Sequence, residues 1–212
     1  MTKIKICGVL EAGDVAHVVG SADFLGLNFW PKSKRYASPA VAAAVAAAVR
    51  ADSAAQLVGL FVDQPAHEIA LAHEAVELDV IQLHGDETPD DVALVARTTG
   101  LPVWKAIAVG SAADLDDLDR WPADALLLDA PSAGRGGAGV TFDWTLAALA
   151  RTRYPARRFI LAGGLVPDNV GAAIAAVAPW AVDVASGVER APGRKDPAKV
   201  RAFLSAVSAT RG

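Results

Sequence analysis

Eight times along the chain a short β-branched or Leu-rich run gives way to a stretch of helical character. That alternation restricts the fold more than any other feature. The runs are IKIC (4–7), FLGLNF (24–29), QLVGLFV (56–62), VIQL (80–83), PVWKAIA (102–108), ALLLD (125–129), RFILA (158–162) and AVDVA (181–185). Helices are expected over 11–20, 39–51, 66–76, 88–98, 112–119, 144–152, 168–177 and 196–208. Three of them open on a capping residue and an early proline: Ser38-Pro39, Thr88-Pro89 and Asp196-Pro197. Most of the runs are almost continuously apolar, as parallel strands covered on both faces must be. Eight β-then-α units in 212 residues predict an α/β protein, a single (β/α)8 TIM barrel with one domain over 1–212. The alternative, an open doubly wound sheet, usually has fewer strands and a G-x-G-x-x-G turn after the first. Here the first run ends in Cys7-Gly8-Val9-Leu10.

Charge narrows the class of partner. The chain carries 20 basic and 24 acidic residues, a net charge of -4, so neither nucleic acid nor an anionic membrane surface is an expected partner. The apolar stretch VAAAVAAAV (41–49) is too short to span a bilayer, and no apolar segment follows Lys3 and Lys5 as in a signal peptide. A single cysteine excludes an internal disulfide and fits a reducing compartment. The expectation is a cytoplasmic monomer or homodimer acting on a small molecule.

A barrel of this kind works at the C-terminal ends of its strands. Those ends carry Cys7, Asn28 followed by FWPKSKRY with Arg35, Asp63-Gln64, Gln82 and His84, Asp129, Gly163-Gly164 and Ser186-Gly187; Lys105 lies within the fifth run. Backbone N–H groups of the seventh and eighth loops are the usual phosphate cradle of the fold, so Gly163, Gly164, Ser186 and Gly187 predict a small phosphorylated substrate. A thiolate can act as a base and a carboxylic acid as a proton donor. Cys7 and Asp129 on opposing strands therefore suit proton shuttling in an isomerisation. Arg35 is the candidate clamp for a second anionic group, since a guanidinium grips a carboxylate with two hydrogen bonds. His84 is the one histidine near a strand end and is expected to support the site by hydrogen bonding. No spacing of Cys and His suits a metal. The glycine-rich segment 130–144 is either a flexible connection or a lid.

KICG (5–8), PKSKRY (31–36), QLHGDE (82–87), LLLD with GGAGVTFDW, LAGGLVPDNV (161–170) and VDVASGVERAPGRKD (182–196) occur in an order that resembles the phosphoribosylanthranilate isomerase family of tryptophan biosynthesis. The resemblance covers nearly the whole chain. It implies an Amadori rearrangement of N-(5-phosphoribosyl)anthranilate without a cofactor. It also implies Asp129 as general acid, Cys7 as general base, Arg35 on the anthranilate carboxylate, and Gly163, Gly164, Ser186 and Gly187 around the phosphate. The chain departs from the family pattern at Leu10, Asn28, Lys34 and Ala138, none of them an implied catalytic group. A sister barrel isomerase of histidine biosynthesis would carry an Asp where Cys7 stands. A non-catalytic phosphate-binding barrel would need neither Cys7 nor Asp129.

Overall fold

The computed structural model describes residues 1–16, 21–131 and 142–210. Eight parallel strands close into a barrel in sequence order: β1 (Lys3–Cys7), β2 (Phe24–Asn28), β3 (Gln56–Phe61), β4 (Val80–Leu83), β5 (Val103–Ala108), β6 (Ala125–Asp129), β7 (Phe159–Leu161) and β8 (Ala181–Val184). β8 returns to pair with β1. The apolar runs thus do what continuous burial requires, and the barrel expectation is met. The helices are α1 (Ala12–Val15), α2 (Pro39–Asp52), α3 (Ala66–Val76), α4 (Pro89–Thr99), α5 (Trp144–Arg153), α6 (Pro167–Val177) and α7 (Pro197–Ala209). Ser38, Thr88 and Asp196 cap α2, α4 and α7 through side-chain oxygens, as their sequences suggest.

Two expected helices are shortened or replaced. Of the stretch 11–20, helix is present over Ala12–Val15, and residues 17–20 lie outside the described residues. In place of a helix over 112–119 stand two 3-10 turns, Ala112–Leu115 and Leu118–Arg120. An unforeseen antiparallel pair, β9 (Glu189–Ala191) with β10 (Arg194–Lys195), follows β8.

Strand side chains alternate between two environments. One set, including Ile4, Ile6, Leu25, Leu27, Leu126 and Leu128, joins the large core between barrel and helices. The other set fills the barrel. Its floor is aromatic: Phe24 and Trp104 meet edge to face at 4.9 Å, and Trp180 packs on both. Above the floor the interior turns polar, with Lys5 and Gln82 fully buried. Burying a polar group is costly unless it is hydrogen-bonded, and of these two Lys5 is partnered while Gln82 Oε1 has no partner among the described residues.

Candidate active site

Cys7 ends β1 and is 6% exposed. Two residues earlier on the same strand face, Lys5 points into the same space and pairs with Asp183 of β8 at 3.0 Å. Burial works to lower the pKa of Lys5. Attraction to Asp183 and to the Cys7 sulfur outweighs it, so the ammonium is held above its ordinary range. Opposite Cys7 on β2 stands Gly26, where a Cβ would lie 2.9 Å from the sulfur and 3.2 Å from the Lys5 nitrogen. Glycine is required there by the close approach of the two side chains.

Asp129 ends β6. Burial lifts its carboxyl pKa to about 6; the amide of Ala130 opposes that shift by donating to Oδ1, and the charge of Asp183 adds to it. A carboxyl kept near neutrality by its surroundings is suited to deliver a proton. Gln82 Nε2 lies 3.1 Å from His84 Nδ1. The Nε2 of the same ring is 3.8 Å from Asp129 Oδ2. His84 therefore stands near the acid, beyond hydrogen-bond distance, with Gln82 as a hydrogen-bond partner.

Arg35 is not an unencumbered clamp. Its Nε and Nη2 donate to the two carboxylate oxygens of Glu189 at 2.8 and 2.7 Å. Lys195, 2% exposed, shares Glu189 Oε1 at 2.9 Å and also donates to the carbonyl of Cys7. Burial raises the Glu189 carboxyl, but Arg35 and Lys195 overcome it and hold it below its usual range. Burial lowers the pKa of Lys195, against the attraction of Glu189, and Arg35 and Lys195 share one carboxylate beside Cys7. The end-on N–H pair of Arg35 stays available to a second anion.

The two glycine loops touch. A Cβ on Gly187 would stand 1.9 Å from the carbonyl oxygen of Leu165, so only glycine lets the loops after β7 and β8 meet. Gly163 abuts the acid: a Cβ there would lie 2.8 Å from Asp129 Oδ1. Ser186 and Gly187 sit in a 3-10 turn over Ser186–Val188.

Other sequence candidates resolve differently. Lys105 faces out of the barrel and is bound by Glu87 at 3.0 Å and by the carbonyls of Gly85 and Ala106. Glu87 in turn accepts from the amides of Asp63 and Gly85, so QLHGDE braces the loops after β3 and β4. Asn28 accepts from the Trp30 amide and donates to Ser33, which makes it the brace of the Arg35 loop. Ala138 and most of the glycine-rich segment lie outside the described residues. An open cavity of about 860 Å³ lies at the opposite end of the barrel, among Thr2, Arg158 and Trp180, away from every strand C-terminus.

Sequence reasoning missed Lys5, Asp183, Glu189 and Lys195. For the first two a signal existed: each is a charge inside an otherwise apolar strand, and Lys5 shares the parity of Cys7.

Fold and mouth together define a (β/α)8-barrel enzyme with its polar groups gathered at the C-terminal strand ends. Residues 4–206 match the family described as N-(5'phosphoribosyl)anthranilate (PRA) isomerase. A protein of Magnetococcus marinus named N-(5'-phosphoribosyl)anthranilate isomerase is 48% identical over 210 residues, covering 97% of this chain and 94% of that one. The phosphoribosyl anthranilate isomerase of Thermotoga maritima superposes with a TM-score of 0.89 at 37% identity, over 99% of this chain and 100% of that one. A further structure of such an isomerase, in complex with reduced 1-(o-carboxyphenylamino)-1-deoxyribulose 5-phosphate, gives 0.86 at 35% identity over 99% and 100% of the two chains. This chain belongs to the phosphoribosylanthranilate isomerase family.

Proposed function

We propose that this chain performs the family's isomerisation at the barrel mouth by proton transfer between Asp129 and Cys7, with no cofactor. The substrate is N-(5'-phosphoribosyl)anthranilate, and the product is 1-(2-carboxyphenylamino)-1-deoxyribulose 5-phosphate. Asp129 gives its proton to the ribose ring oxygen as the C1–O bond breaks, opening the sugar to a Schiff base. Cys7 as thiolate removes the proton from C2, leaving an enolamine. Protonation at C1, with loss of the proton from the C2 hydroxyl, gives the ketone. Arg35 binds the anthranilate carboxylate through its end-on N–H pair. Gly163, Gly164, Ser186 and Gly187 receive the phosphate with backbone donors.

The observation that carries this reading is the pairing of environments. An acid held partly protonated by burial and a thiol flanked by cations face one polar interior. A proton donor and a proton acceptor facing one interior are what the isomerisation requires. Synthetic substrate provides the test. Turnover should quench the anthranilate-type fluorescence, and inorganic phosphate should inhibit competitively. Binding of substrate with no loss of fluorescence would leave a phosphate-binding barrel instead.

A further inference from the structure

We propose that the buried Lys5–Asp183 pair sets the charge beside the reacting thiol, Lys5 being a positioning residue for Cys7 and Asp183 the counter-charge that holds Lys5 in place. The inference deepens the proposed function and rests on its choice of base, but the thiol readout below is independent of turnover.

The geometry comes from register. Residues 5 and 7 share one face of β1, and Lys5 stands directly opposite Asp183 in the β1–β8 ladder. The 3.0 Å contact is therefore a cross-strand pair inside the barrel. Gly26 leaves one gap that the Lys5 nitrogen and the Cys7 sulfur flank together.

An alternative is that the pair merely fills space. Burying an ion pair is a poor way to stabilise a core, since apolar groups of similar volume serve as well or better. One layer below, the same barrel uses Val58, Val80, Leu127 and Ile160. The fully buried Lys5, paired with Asp183, stands instead on the strand face that ends at Cys7. Other charged neighbours are found among the described residues. Arg35 and Lys195 add positive charge near Cys7, with Glu189 between them. Among the described residues His84 stands 3.8 Å from Asp129.

The pair has a signature that a space-filling one lacks. Removing the charge of Lys5 withdraws support from a thiolate and leaves Asp183 uncompensated. Removing the charge of Asp183 frees the Lys5 ammonium for the thiolate. The two substitutions should move the thiol in opposite directions, although both break the same pair.

The chain has one cysteine, so alkylation by iodoacetamide reports Cys7 alone. Rates would be measured from pH 5 to 9 on the full chain for wild type, Lys5→Met, Lys5→Arg, Asp183→Asn and the double variant Lys5→Met with Asp183→Asn. Loss of an opposite charge within a few ångströms displaces a titration by about one to three pH units, each unit a factor of ten. Lys5→Met should therefore slow alkylation about tenfold or more at neutral pH, and Lys5→Arg should restore most of the rate. Asp183→Asn should react as fast as wild type or faster, and the double variant should fall between Lys5→Met and wild type. Thermal unfolding of each variant tracks structural damage separately. If Lys5→Met does not fold, the neutral double variant takes its place in the comparison. The proposal is overturned if the folded variants that remove Lys5 alkylate with the wild-type profile, or if Asp183→Asn slows in step with them.

Discussion

Asp129→Asn should make the folded protein more stable while destroying its activity. The carboxyl pKa rises from the ordinary 3.8 to about 6 on folding, chiefly through burial. The folded state thus prefers the protonated form, and ionisation above pH 6 costs stability. A shift of that size is worth about 3 kcal/mol, at 1.36 kcal/mol per unit. The sign follows from linkage: the penalty is absent below the unfolded pKa, grows between about pH 4 and 6, and is complete above. Asparagine carries no charge to ionise, and its oxygen can still accept from the Ala130 amide. For a chain of this size each kcal/mol moves the melting temperature by roughly 2–4 °C, so Asp129→Asn should melt about 6–12 °C higher at pH 8. The gain should shrink steadily as the pH is lowered from 6 towards 4. Thermal melts followed by circular dichroism across that range would decide it. A variant no more stable than wild type at pH 8, or one whose gain is independent of pH, would refute the reasoning that burial holds this acid partly protonated.

The anion contacts give three further expectations. Arg35→Ala should raise KM about tenfold or more with a smaller effect on kcat, because a charge-assisted contact of roughly 1.5–3 kcal/mol serves ground and transition states alike; steady-state kinetics separates the two. Glu189→Gln leaves Lys195 and Arg35 without their shared counter-charge, and losing one partner of a buried ion pair typically costs about 3–5 kcal/mol, to be read from denaturant unfolding. Gly187→Ala must push the loop after β8 away from the Leu165 carbonyl; phosphate should then inhibit more weakly, while the far-ultraviolet circular dichroism stays that of the wild type.

The eight strands were legible because each is a compact apolar run between turn signals, and a closed barrel buries both faces of every strand. The stretch 112–119 misled for a local reason. Asp114 turns its carboxylate back onto the amides of Gly110 and Ser111, and Asp117 takes a left-handed conformation with φ of 57°, so the chain breaks into two tight turns. Cys7 and Asp129 could be found because the fold rule says where to look and few reactive groups stand there. Lys5 was readable in principle from strand parity, but its position beside the N-terminus made it look like an ordinary solvated charge. Glu189 left no local trace. Its partner Arg35 lies 154 residues away, and only the closure of β8 onto β1 brings them together.

The most direct test of the acid–base account is single-turnover kinetics on N-(5'-phosphoribosyl)anthranilate with Cys7→Ser and Asp129→Asn beside wild type. Loss of a general acid or base typically costs about 10²–10⁴-fold. Each variant should show that fall in the chemical step with substrate affinity changed only a few-fold, the pattern of groups needed only in the transition state. A chemical step within tenfold of wild type in either variant, or a loss expressed wholly as weaker binding, would contradict it.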